Sequence, residues 1–148
     1  MTNSHEALRK LHKMVPYLKD NPDELLYGKA GFLYALLWMR KGTEGDKDGL
    51  NDLDKTIQKT VDMIIQCGQV YSEKNQCKSP LMYEWHEKQY FGMAHGLAGI
   101  LMMLLQAGDR YLSKDQIDNL VKPSINFLIS TILESGNVPS SQGSPRDR

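Results

Sequence analysis

Cysteine is scarce in this chain, and no sign of charge predominates. Two cysteines, Cys67 and Cys77, occur among 148 residues; they could pair, but two isolated cysteines in an intracellular helical protein are more often thiols. Eighteen basic and eighteen acidic residues cancel, so no global field favours nucleic acid as a partner. Apolar runs reach about a dozen residues, short of the ~20 that span a bilayer, and a signal-peptide core is lacking. We therefore expect a soluble, cytoplasmic protein.

Glycine pairs mark an internal repeat. Gly28 and Gly31 precede one apolar run, and Gly96 and Gly99 precede another, with an offset of 68 residues between the pairs. That offset is too long for a one-helix repeat. It fits a unit made of a long helix, a connecting loop and a short buried helix.

Apolar periodicity predicts five helices, over about residues 5–18, 28–40, 53–72, 95–106 and 113–133. Pro16 is expected to end or kink the first helix and Pro123 to kink the last, which begins with the N-cap Ser113 and its capping-box partner Gln116. The first, third and fifth helices are amphipathic, whereas the second and fourth are apolar on every side. This alternation predicts an all-α barrel in two concentric layers, with the apolar helices inside. The polar connection that ends at Glu87 is expected to be a functional loop.

Four segments carry a family resemblance: Leu-Leu-Tyr-Gly-Lys-Ala-Gly at 25–31, Leu-Met-Tyr-Glu-Trp-His at 81–86, Ala-His-Gly-Leu-Ala-Gly-Ile at 94–100, and Ser-Gly-Asn-Val-Pro-Ser-Ser at 135–141. Together they resemble the eukaryotic lanthionine synthetase C-like (LanC-like) proteins. The resemblance implies an incomplete α/α toroid of alternating outer amphipathic and inner apolar helices. Residues 1–148 would be a partial LanC-like domain that stops before the zinc-ligand motifs, with residues 135–148 as a polar C-terminal loop.

The resemblance also implies cofactors and partners. In the family, zinc is held by two cysteines and a histidine in motifs that this chain lacks, so Cys67 and Cys77 receive no metal role and this chain alone is expected to be inactive. Eukaryotic members imply addition of the glutathione thiol to dehydroalanine or dehydrobutyrine residues in proteins. Peripheral association with the plasma membrane and a link to carbohydrate metabolism are weaker implications.

Two residues inherit a catalytic candidacy from the resemblance. His95 matches the histidine that acts as acid and base near the metal in bacterial relatives, and imidazole titrates near working pH. Glu24 matches an acidic residue that precedes the first glycine pair, where the bacterial enzymes have aspartate. The residues alone also permit purely structural interpretations. In these, His95 caps its helix, Glu24 complements a helix N-terminus, and the glycines let helix ends approach closely.

Other functional arrangements of these residues have less support. His86, Glu87 and His95 lack the spacing of a metal cluster. Trp85, Tyr83, Tyr90 and Phe91 are expected to pack between helices, although they could stack on a sugar. A noncatalytic glutathione-binding or scaffold protein is the alternative function. A glycoside-processing toroid would need two placed carboxylates, for which only Glu24 and Glu84 can be nominated.

Overall fold

The computed structural model describes residues 3–42 and 47–144. The α-helices in these residues are α1 (Asn3–Met14), α2 (Lys29–Gly42), α3 (Lys47–Lys74), α4 (Leu97–Ala107), α5 (Lys114–Gln116) and α6 (Lys122–Ser130). Short 3₁₀ helices follow α1 and α4, at Val15–Asp20 and Gly108–Arg110, and a π-helical segment at Ile117–Val121 joins α5 to α6. The described residues form isolated β-bridges but no strand. The predicted all-α fold class is confirmed.

Local signals fix most helix ends. α1 ends at Met14, and Pro16 lies in the first turn of the following 3₁₀ helix, where its missing N–H is not needed. Gly108 ends α4 with a φ of 62°, a left-handed value that favours glycine. Ser113 Oγ accepts the Gln116 N–H at 3.1 Å while Gln116 Oε1 accepts the Ser113 N–H at 2.8 Å, so the predicted capping box is present.

The helix predicted over residues 113–133 is divided rather than continuous. It widens into the π-helical segment Ile117–Val121, which ends two residues before Pro123, and α6 ends at Ser130. Proline has no N–H to donate to the preceding turn, so the helix there has lost one constraint on its regular hydrogen bonding. The predicted effect of Pro123 is therefore a change of helix type next to the proline.

The core lies between α2, α3 and α4. α2 packs against α3 and α4, α1 packs against α3, and α4 packs against α6. Their buried apolar side chains form one cluster that includes Leu33, Leu36, Leu53, Ile57, Val61, Ile64, Ile100, Leu104 and Val121.

The expectation that α2 is enclosed on every side is wrong for the described residues. Leu33 and Leu36 are fully buried, but Tyr34 is 53% exposed and Trp38 is 68% exposed. Tyr34 and Trp38 are one turn apart and share a face of α2. The neighbours α3 and α4 cover only the side of α2 that carries Leu33 and Leu36, so this face remains open.

The polar connection after α3 is irregular, as predicted, yet its middle is buried. Leu81, Met82 and Tyr83 are at most 5% exposed, and the Tyr83 hydroxyl donates to the Ile64 carbonyl at 3.0 Å. The C-terminal segment packs on the same region, because Phe91 N donates to Ser140 O at 3.1 Å. Residues 145–148 of the predicted polar loop lie outside the described residues. Among the described helices, none combines the length and apolar character that crossing a membrane requires.

Candidate functional site

The glycine repeat is a structural repeat. Lys29 N donates to Pro22 O at 2.9 Å, and Leu97 N donates to Tyr90 O at the same distance. Each residue of the second bond lies 68 positions after its counterpart in the first. The loops that lead into α2 and α4 therefore fold back on themselves in the same way.

Glycine is required in both loops by close approach of the backbone. A Cβ atom on Gly31 would lie 2.2 Å from Leu25 O, and one on Gly99 would lie 2.0 Å from Met93 O. Neither distance leaves room for a side chain, and both contacts are with backbone that cannot move aside. The geometry therefore supports the structural interpretation, in which these glycines allow close approach of the backbone.

The two loops face each other, which brings equivalent positions together. Leu25 N donates to Ala94 O at 3.2 Å and so links the loops directly. Tyr27 and His95 are equivalent positions in the repeat, and their rings lie nearly parallel, at an angle of 14° and with centroids 6.2 Å apart.

Glu24 and His95, the two predicted catalytic residues, are in direct contact. Glu24 Oε2 lies 2.6 Å from His95 Nδ1, although the residues are 71 positions apart. The Glu24 side chain is 2% exposed, whereas the His95 side chain is 35% exposed. The structure therefore places a buried carboxylate behind a partly open imidazole.

Backbone donors hold the Glu24 carboxylate in place. Oε2 accepts the Leu26 N–H at 3.1 Å, and Oε1 accepts the Tyr27 N–H in a short hydrogen bond. An ionised carboxylate only accepts hydrogen bonds, so His95 Nδ1 is the donor to it. Nε2 of His95, which has no hydrogen bond to any described residue, is then the nitrogen available to a reacting molecule.

Aromatic side chains surround His95. The Trp85 ring lies 6.3 Å from the imidazole at an angle of 20°, and the Tyr90 ring lies 6.4 Å away at 58°. Tyr83 and Phe91 are buried packing residues, as expected. Sequence reasoning assigned Trp85 and Tyr90 to packing as well, and it missed Tyr27. The repeat offset that aligns Tyr27 with His95 was the available signal for Tyr27.

A buried ion pair fixes the start of the loop that carries Glu24 and leads into α2, here called the Glu24 loop. Lys29, 2% exposed, donates from Nζ to Asn21 O at 2.5 Å and lies 3.0 Å from Asp23 Oδ1, an approach that lacks hydrogen-bond geometry. Burial raises the pKa of the Asp23 carboxyl, and the neighbouring Lys29 ammonium opposes that shift. Burial and the Asp23 charge likewise raise the pKa of the Cys67 thiol, which disfavours a reactive thiolate.

The other candidate groupings are not assembled. The described residues contain no group of three His, Cys, Asp or Glu side chains that could hold a metal ion. Glu84 is exposed and its Oε2 accepts from the Tyr71 hydroxyl at 2.8 Å, so it belongs to a different contact from Glu24. Cys67 and Cys77 are free thiols.

These features define an all-α protein in which two equivalent loops, each leading into a core helix, create a histidine–carboxylate site. The family model for lanthionine synthetase C-like proteins matches residues 1–148. The chain belongs to the LanC-like family. The inferred resemblance and the expected LanC-like all-α fold are thereby confirmed.

Two curated relatives support this assignment. The chain is 38% identical over 150 aligned residues to the glutathione S-transferase LANCL1 of Danio rerio, an alignment that covers 97% of this chain and 36% of the relative. It is 34% identical over 130 residues to the LanC-like protein GCL1 of Arabidopsis thaliana, covering 84% of this chain and 27% of that protein. The chain thus spans about a third of the length of these relatives.

Proposed function

We propose that Glu24 and His95 form the acid–base pair of a glutathione transferase that adds the glutathione thiol to dehydroalanine or dehydrobutyrine residues in proteins. The observation that carries the proposal is the 2.6 Å contact between Glu24 Oε2 and His95 Nδ1, which leaves Nε2 open. The similarity to a relative named as a glutathione S-transferase supports the choice of thiol.

The proposed addition needs one proton at one carbon. His95 Nε2 takes the proton from the glutathione thiol. The resulting thiolate sulfur bonds to Cβ of the unsaturated residue, and the electrons of the double bond move toward the carbonyl as an enolate. His95 Nε2 then delivers a proton to Cα, which completes a thioether with no leaving group. A histidine suits this step because both its protonated and neutral forms are accessible near pH 7.

Glu24 has a positioning role in this proposal. Its carboxylate holds Nδ1–H, which fixes the ring orientation and keeps Nε2 as the nitrogen that exchanges the proton. The Leu26 and Tyr27 N–H groups keep the carboxylate itself from turning.

Zinc enters only as an expectation of the family resemblance. The described residues do not fit a zinc site, because they bring together no set of three suitable ligands. We therefore assign no step of the proposed reaction to a metal through residues of this chain.

A chimera tests the proposal in a protein of the relatives' length. Residues 1–148 replace the aligned third of Danio rerio LANCL1, and mass spectrometry follows glutathione addition to a dehydroalanine peptide. We expect His95→Ala to slow addition by roughly 100-fold or more, the usual contribution of an acid–base group. His12→Ala, on α1, serves as the control and leaves the rate unchanged. Retention of the full rate by His95→Ala removes His95 from the reaction.

A further inference from the structure

A strained turn lies beside the His95 site. His86 and Glu87 have φ values of 47° and 59°, in the left-handed region that glycine and asparagine favour. Trp85 N donates to Lys88 O at 2.9 Å, and Lys88 N donates to Trp85 O at 3.1 Å. His86 and Glu87 are therefore the tip of a two-residue hairpin. Hairpins of this kind usually carry Asn-Gly. Residues other than glycine keep such strained φ values only where contacts with the surrounding structure hold the backbone in place.

The turn determines where the Trp85 indole lies. The His86 ring packs edge-on against it, with centroids 4.1 Å apart, and the Trp85 ring in turn lies nearly parallel to His95. Tyr27, which is 70% exposed, lies nearly parallel to His95 from the other loop of the repeat. The exposed Tyr27 ring and the partly exposed Trp85 ring therefore flank the imidazole whose Nε2 is open.

Trp85 also borders a cleft. An open cleft of about 570 Å³ lies between the Glu24 loop, the end of α3 and the segment 83–86, and both Trp85 and His86 line it. Its rim carries charges of both signs, including Lys19, Asp20 and Lys74. One side chain is thus shared between the surroundings of His95 and an open cleft that has charged residues in its lining.

We propose that Trp85 and Tyr27 are the contact surface for the acceptor, a polypeptide whose dehydroamino acid presents a planar C=C–C=O unit, and that the cleft receives the residues beside it. This inference rests on the proposed function. A planar conjugated group gains stacking energy on an aromatic face that a saturated residue cannot match. The strained turn holds the indole in place before the acceptor arrives, which lowers the entropy lost on binding.

Peptide binding to the 148-residue chain tests this inference. The probe is a fluorescein-labelled peptide with a central dehydroalanine, compared by anisotropy with the same peptide containing alanine. We expect the dehydroalanine peptide to bind more tightly and Trp85→Leu to weaken it by about tenfold, as the loss of one stacking ring predicts. Trp85→Phe should restore binding to within about threefold, because a ring remains.

Trp38→Leu is the matched control, since Trp38 is the other tryptophan and is exposed on α2. It should leave binding unchanged. If circular dichroism shows that Trp85→Leu is unfolded, Tyr27→Leu takes its place, because a side chain this exposed contributes little to the core. Equal binding of the two peptides, or unchanged binding after loss of Trp85 and of Tyr27, overturns the inference.

The chimera separates this inference from the proposed function. Trp85→Leu should raise KM for the dehydroalanine peptide with little change in kcat, whereas His95→Ala should lower kcat. Full activity of His95→Ala together with Trp85-dependent binding removes the acid–base proposal and leaves the contact surface standing. A normal KM in Trp85→Leu together with an inactive His95→Ala removes the contact surface and leaves the acid–base proposal standing.

Discussion

At the scale of single residues, the Glu24 carboxylate accepts three N–H groups while almost fully buried. Glu24→Gln replaces one acceptor oxygen by an NH₂ group that faces one of these donors. We expect the free energy of unfolding to fall by about 1–3 kcal/mol, the usual penalty for an unsatisfied buried donor. Urea denaturation measures this free energy. The ¹⁵N NMR signal of His95 Nδ1 should also shift, because Nδ1 loses its hydrogen bond to a carboxylate. Unchanged stability and an unchanged His95 spectrum would contradict the burial and bonding described for Glu24.

Gly68 is a second residue that cannot be replaced without cost. A Cβ atom there would lie 2.5 Å from the Tyr83 hydroxyl, which is fixed by its hydrogen bond to Ile64 O. Gly68→Ala should therefore destabilise the protein by about 2 kcal/mol, even though alanine is the better helix former. Gly42→Ala, at the open end of α2, has nothing within 4 Å of its Cβ and should be neutral or slightly stabilising. Thermal unfolding of the two variants distinguishes them, and equal melting temperatures would be inconsistent with the Tyr83 contact.

The residues of the site could be named from the sequence only in part. His95 and Glu24 came from the family resemblance, and their contact spans 71 positions that no local pattern connects. The position of Trp85 depends on positive φ angles at His86 and Glu87. Neither position carries glycine or asparagine, the residues that usually indicate such a turn. Local propensity therefore gave no reason to place Trp85 beside His95.

At the scale of the helices, Asp54 joins three elements. This residue of α3 accepts from Arg40 Nε of α2 at 2.7 Å, from Arg110 Nη2 at 2.8 Å and from the Tyr111 hydroxyl at 2.5 Å. Burial alone would raise the pKa of Asp54, but these hydrogen bonds outweigh it and lower the pKa below its usual 3.8. A carboxyl with a depressed pKa contributes stability above its unfolded pKa, and that contribution is lost as pH falls through the folded value.

Acid should therefore weaken the junction that Asp54 makes. Relative to the unsubstituted protein, Asp54→Asn is expected to be clearly less stable at pH 7, and this difference should shrink as pH falls below 3.8 and the native carboxyl becomes protonated. Denaturation curves over this pH range measure the difference. Asp109→Asn, an exposed neighbour, is the control and should show no such convergence. A gap between Asp54→Asn and the unsubstituted protein that stays constant with pH would rule out the lowered pKa.

Element types and most ends follow from local sequence signals, whereas helix environment does not. Ser113 with Gln116 marked a helix start that the structure confirms, because capping depends on neighbouring residues. The apolar run of α2 did not reveal that the face with Tyr34 and Trp38 is open. That depends on which elements pack beside α2, a property of the tertiary structure.

At the scale of the whole molecule, the repeat explains why the site exists. Two loops with the same backbone bonds meet face to face, so positions far apart in the chain become neighbours. The repeat was readable from glycine spacing, and the helices were readable from apolar periodicity. Equivalent positions of the two loops can carry different side chains, as His95 and Tyr27 do. These differences determine the chemistry available where the two loops meet.

When residues 1–148 are studied alone, the open face of α2 is expected to cause self-association. Tyr34 and Trp38 offer adjacent exposed rings, and such patches are covered in most stable proteins. The double variant Tyr34→Gln and Trp38→Gln should lower the weight-average mass measured by sedimentation. Tyr17→Gln, which alters a tyrosine that is 77% exposed next to α1, is the control and should leave the mass unchanged. An unchanged mass in the double variant would show that this face makes no contact in solution.

A double-mutant cycle on the rate of glutathione addition by the chimera tests the central claim, that Glu24 acts through His95, most directly. The four proteins are the unsubstituted chimera, Glu24→Gln, His95→Ala and the double variant, with a dehydroalanine peptide as acceptor. Two residues that work as one unit have effects that do not add, so the double variant should be no slower than His95→Ala alone. Independent effects that multiply in the double variant, or a Glu24→Gln protein with the full rate, would contradict the account.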